Sequence, residues 1–102
     1  MTTLLVLYRA PEGGSDALAE LERRYRDDHL PLVAKTPGLR AVRIWRVGEA
    51  LGGETELVLA AALDEGLRSD PMRAGARILR EIAPGLATFL VLEEAPDLLG
   101  VA

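Results

Sequence analysis

His29 is the one histidine in a chain of 102 residues. Its unperturbed pKa of ~6.5 suits proton transfer near neutrality. Tyr25 stands four residues before it, Asp27 and Asp28 immediately before, and Pro31 two after. The Tyr25 hydroxyl could orient a substrate, or the ring could be a core aromatic with a wet tip. Asp28 could polarise the imidazole. By helical geometry Asp27 points away, and a solvated helix charge is the simpler reading of both. Elsewhere, Trp45 and Tyr8 could wall an apolar pocket, although tryptophan in a small domain usually packs. Arg9, Arg43 and Arg46 could hold an acidic substrate group, against the ordinary fate of a surface arginine in water.

Other chemistry is disfavoured by what the chain lacks. There is no cysteine, so there is no disulfide framework and no thiolate metal site. A single histidine cannot build a multi-histidine metal site. Only His29 could ligate a haem, and nothing suggests a second iron-binding group. Gly13-Gly14 lacks P-loop spacing and reads as a short turn. No cofactor is expected. The net charge is −4 and the arginines are scattered, which argues against nucleic acid. No apolar run approaches the ~20 residues of a membrane span. The first residues lack the pattern of a signal peptide, so a cytoplasmic protein is expected. Asn, Gln and Cys are absent and Lys35 is the only lysine, as in heat-resistant proteins or as GC-rich coding would produce.

One domain must position these residues. Thr2 to Arg9 is a short apolar run ended by a Pro/Gly cluster, and reads as a strand buried on both faces. Ser15 or Asp16 can cap a helix, whereas Glu12 to Gly14 suits a start less well. Leu18, Leu21, Tyr25, His29 and Leu32 then share one stripe at helical spacing. Pro31 cannot donate to the Asp27 carbonyl. A kink or broken turn is therefore predicted between Asp27 and Pro31, with carbonyls freed beside His29. Thr36-Pro37-Gly38 ends the helix.

Leu39 to Val47 alternates as a strand, Gly52-Gly53 tips a loop, and Glu56 to Leu63 is a third strand. Asp64 to Arg68 is a turn or loop. Ser69-Asp70-Pro71 starts a second helix with a cap and an early proline. Its face of Met72, Gly75, Ala76, Leu79, Ile82 and Ala83 permits close approach to a sheet. Pro84-Gly85 stops it, Ala87 to Glu93 is the fourth strand, and Pro96 to Ala102 is an apolar tail that could dock on a partner.

The order βαββαβ predicts an α+β, ferredoxin-like fold: a four-stranded antiparallel sheet with two helices on one face. The other face should then be wet, yet three of the four strands are apolar on both sides. Its footprint is roughly 400 Å² from strand spacing and rise, near the largest patch monomers expose. A homodimer joined face to face, a dimeric α/β barrel, is the expectation.

Tyr25, the run His29-Leu30-Pro31-Leu32 and the following Pro37-Gly38-Leu39 resemble the EthD family of the dimeric α/β barrel superfamily. Ser69-Asp70-Pro71 resembles the turn before that family's second helix. Arg77 to Ala83 departs from it, lacking the acidic and phenylalanine positions common near that helix end, which leaves a second catalytic residue there without support. The resemblance covers most of the chain and implies a small-molecule function rather than one reaction. Three classes follow. The first is a cofactor-free isomerase, dehydratase, cyclase or oxygenase using His29 as general acid or base, with Tyr25, Trp45, Tyr8 and Arg43 binding a small apolar or aromatic substrate. The second is a non-catalytic ligand-binding accessory protein. The third is a ligand-sensing regulatory domain, which usually comes fused to a DNA-binding domain. A structural His29 bonded to a carbonyl freed by Pro31 is the competing reading of the same residue.

Overall fold

β1 (Thr2–Arg9) runs through the middle of a four-stranded antiparallel sheet of order β2-β3-β1-β4. The computed structural model describes residues 1–100. β1 pairs with β3 (Thr55–Leu63) on one side and with β4 (Ala87–Leu92) on the other, and β2 (Leu39–Arg46) is the outer strand beyond β3. This is the ferredoxin-like order expected from the sequence, and the strand limits move by a residue at most.

The first helical segment has three parts: α1 (Gly14–Arg24), a π-helical turn (Tyr25–His29) and α2 (Leu30–Ala34). α3 (Asp70–Ile82) follows β3. The start of α1 corrects the expected cap at Ser15 or Asp16. Gly13 is the cap residue at φ 108°, with no side-chain bond. A residue without Cβ lets the chain turn straight from the loop into the helix. α3 begins as the sequence reads, with Ser69 accepting from the Met72 amide and Pro71 in the first turn.

Register divides the sheet into two faces. Leu4, Val6 and Tyr8 of β1 lie beside Ala61, Leu59 and Leu57 of β3, under the helices, and form the buried core with Leu63, Tyr25 and Leu79. Leu5 and Leu7 point the other way, between Ala60 and Val58 on one side and Leu90 and Thr88 on the other. That open face continues through Arg43 and Trp45 of β2. The helices cover the sheet unevenly. On β4 the helix-side residues Phe89 and Val91 remain 49% and 55% exposed.

The Pro37-Gly38 turn packs against the loop after β3. Gly38 has φ 76°, and a Cβ there would come within 2.7 Å of the Glu65 amide nitrogen. The tail forms a 3-10 turn, Pro96–Leu99, with Leu98 and Leu99 exposed. Its expected docking extends to Val101 and Ala102, which lie outside the described residues.

Candidate functional site

The π-turn sets the position of His29. Pro31 has no amide proton, so an unbroken α ladder would leave the Asp27 carbonyl without its donor. The helix widens instead of breaking. The Leu30 amide donates to the Tyr25 carbonyl five residues back, the bond that defines a π-turn. The predicted kink is thus an insertion of one residue. In a regular α-helix, positions four apart drift by roughly 40° per step. Here the wider turn keeps Leu21, Tyr25, His29 and Val33 all buried. Val33, and not Leu32, ends the buried stripe.

His29 is 5% exposed. Its ring stacks on Tyr25, with centroids 4.7 Å apart and 25° between planes. Tyr25 meets Tyr8 edge-on at 5.0 Å, and the Tyr8 hydroxyl donates to the Tyr25 hydroxyl at 2.9 Å. On its other side His29 faces α3 at Gly75, where a Cβ would lie 3.4 Å from Nε2. The small residues of α3 therefore serve contact with the first helical segment as well as with the sheet.

The imidazole is poor in partners. Nδ1 is buried and unbonded, which corrects the expectation that a freed carbonyl fixes the ring. The π-bond uses the Tyr25 carbonyl within the helix, and the ring is aimed at α3 instead. Asp27 and Asp28 face outward, to Arg26 at 2.9 Å and Arg24 at 3.2 Å. With no anion beside it, burial pushes the His29 pKa down to about 4, because a low-polarity surrounding disfavours the imidazolium. The ring is neutral at neutral pH. Burial also pushes Tyr25 up to about 12, partly offset by the hydrogen bond from Tyr8. Tyr8 is held above the usual phenol range by burial and by its Tyr25 neighbour.

His29 lines a cavity of about 270 Å³ between the helices and the sheet. Leu4 and Val6 form part of its floor, Val33 and Met72 belong to the helical walls, and Phe89 and Val91 come from the uncovered edge strand. Arg68 is the one other lining residue with a charged or polar side chain. The cavity exists because α3 and α2 stop short of β4. A size near the lower end of the ~300–1,000 Å³ usual for ligand pockets, an apolar wall and few polar groups match a small-molecule site.

The structure brings together only some of the residues singled out in the sequence. Tyr25 and Tyr8 stand behind His29, and Tyr25 itself faces a second cleft of about 320 Å³ with Glu22, Arg26 and Arg46. Trp45 and Arg43 lie on the open face of the sheet, opposite His29, with the Arg43 guanidinium 5.2 Å from the Trp45 ring centre. Trp45 and Tyr8 thus wall no common pocket. Arg9 donates to the Gly85 carbonyl and Arg46 to Glu22. Sequence reasoning missed Arg68, Val33 and Phe89. The helical period hid Val33, and nothing local distinguishes Arg68 from other loop arginines. Among the described residues, no cluster of three His, Asp or Glu side chains could hold a metal ion, and no helix is long and apolar enough to cross a membrane.

No protein-family model matches the chain, and no curated protein matches it. Solved structures do. An ethyl tert-butyl ether degradation (EthD) family protein from Bacillus halodurans C-125 is 25% identical, with 93% of this chain and 99% of that one covered, at a TM-score of 0.79. A dimeric, ferredoxin-like protein of unknown function from Bacteroides fragilis is 14% identical, covering 91% and 95%, with a TM-score of 0.64. SnoaB, a cofactor-independent oxygenase from Streptomyces nogalater, is 15% identical, covering 91% of each chain, with a TM-score of 0.60. The last two likenesses speak for the fold alone. Over nearly its whole length, the motif around His29 included, the chain is similar to the EthD family protein from Bacillus, and it has the ferredoxin-like fold.

Proposed function

We propose that the protein binds a small, largely apolar molecule in the cavity under its helices and that His29 exchanges a proton with that molecule without a cofactor. The observation that carries this reading is the buried, unpartnered imidazole on the wall of an apolar cavity. A buried polar group normally has a partner, and Nδ1 has none within the protein; a ligand hydroxyl or carbonyl meets the ring where it lines the cavity. A neutral imidazole can accept a proton from an acidic O–H or C–H. The imidazolium so formed is stabilised by the anion left beside it at the buried end of the cavity. The reaction classes are ones that begin with proton transfer: isomerisation, dehydration, cyclisation, or, with molecular oxygen as the oxidant, oxygenation of an activated ring. A neighbour of the same fold is a cofactor-independent oxygenase.

A binding role without turnover is favoured by the burial of the ring with no anion beside it. A base with a pKa near 4 is weak at neutral pH, whereas general bases work best with a pKa near the working pH. In that case His29 only donates or accepts a hydrogen bond.

The working unit in this reading is a homodimer closed through the open sheet face, where Leu5, Leu7, Val58, Leu90 and Trp45 lie side by side. Trp45 and Arg43 then belong to the interface rather than to the His29 cavity. The Bacteroides neighbour of this fold is described as dimeric.

The test is a His29→Gln variant assayed against a panel of small hydroxyl- and carbonyl-bearing aromatics by thermal shift and calorimetry. Loss of binding or turnover with the melting midpoint retained supports the site. Loss of stability with binding intact makes His29 a structural histidine.

A further inference from the structure

The cavity has two polar points of opposite character. His29 is deep and neutral. Arg68, on the loop between β3 and α3, lines the same cavity but is exposed, so it marks the mouth. Most arginines of the chain are occupied. Arg23, Arg24, Arg26, Arg40, Arg46 and Arg73 pair with carboxylates. Arg68 has no hydrogen-bonded or ion-pair partner among the described residues. Its acidic neighbours in sequence are engaged elsewhere: Asp64 holds Arg40 and Asp70 holds Arg73. Glu65 lies against Gly38.

We infer that the cavity takes a ligand with an apolar body and one carboxylate, and that Arg68 is the residue that selects for the carboxylate; this rests on the proposed reading of the cavity as a ligand site. A carboxylate cannot be carried cheaply into an apolar cavity. At the mouth it stays partly hydrated and meets a guanidinium whose fork matches its two oxygens. The apolar body then fills the space between Val6, Leu79 and Phe89. An uncharged hydroxyl or carbonyl further along the ligand meets the part of the 5%-exposed His29 ring that lines the cavity.

The experiment compares two probes of the same shape, 1-naphthoate and 1-naphthamide, by calorimetry on the full-length protein. The wild type should bind the acid about tenfold more tightly, as a charge-assisted hydrogen bond of ~1.4 kcal/mol would give. The preference should shrink as salt is raised. Arg68→Gln, at an exposed position, should keep the melting midpoint and the affinity for the amide while losing the preference. Arg68→Lys should recover part of it. Equal binding of the two probes by the wild type, or a preference that survives Arg68→Gln, overturns the role of Arg68 and leaves the cavity reading standing. Binding of neither probe overturns both.

Discussion

The Tyr8 hydroxyl donates to the Tyr25 hydroxyl across 2.9 Å, seventeen residues apart in sequence and joined strand to helix in space. Through the Tyr25 ring, which lies against the imidazole at 4.7 Å, the central strand sets the plane of His29. Positioning therefore comes from the rear, by stacked rings, with Gly75 of α3 against Nε2 on the other side.

The direction of that hydrogen bond makes the two tyrosines unequal. Tyr25→Phe leaves a buried Tyr8 hydroxyl without its acceptor and should cost about 1–3 kcal/mol, whereas Tyr8→Phe removes the donor and should cost about 1 kcal/mol. Urea denaturation of both variants and of the double variant measures the difference. Reversed costs would mean that the proton lies the other way.

Stability should depend on pH through His29. Its folded pKa, about 4, lies below the ordinary imidazole value of 6.5, so between these values the unfolded chain binds the extra proton. Stability is then fully present above pH 6.5, falls as pH is lowered toward 4, and levels below that. At ~1.4 kcal/mol per pH unit the loss across the window is of order 3 kcal/mol. His29→Gln should remove that slope and leave the carboxylate contribution at lower pH. An unchanged slope in the variant would assign the titration to another group.

Gly75 leaves room for the imidazole and for little more. A Cβ would already stand 3.4 Å from Nε2. Gly75→Val should overpack this contact, destabilise the fold by about 1–3 kcal/mol and shift the His29 ring resonances. Gly75→Ala should be milder, because the added contact is offset by the roughly 1 kcal/mol that alanine gains over glycine in a helix. Melting curves and ring NMR of both variants check this.

The open sheet face carries the dimer prediction. Light scattering should give about twice the 11.0 kDa chain mass. Leu5→Arg, placed between Ala60 and Leu90, should yield a monomer or an unfolded chain, since an unpaired charge in such an interface costs several kcal/mol. A wild-type monomer at micromolar concentration would refute the proposed assembly.

The strands, the second helix and the order βαββαβ are legible in the sequence because alternation, proline and glycine act locally. The EthD resemblance is legible because Tyr25, His29 and Pro31 fall within one short motif. The cavity is not. It depends on how far α3 reaches across β4, a tertiary fact with no local signal, and so Phe89 and Arg68 went unnoticed while Trp45 and Arg43 drew attention by type. Val33 was hidden for a different reason: a regular helical period selects Leu32, and the extra residue of the π-turn moves burial to its neighbour. Pro31 pointed to the disturbance without disclosing whether the helix would break or widen.

That extra residue also acts as a phase setting. Each residue of an α-helix turns the chain by roughly 100°. With one residue fewer between Tyr25 and His29, the wide turn would close to a regular α-turn and the residues after it would keep nearly the same face. The histidine would then stand three places after Tyr25 instead of four. The stack between the two rings, rather than the burial of the residues that follow, is what the extra residue supports.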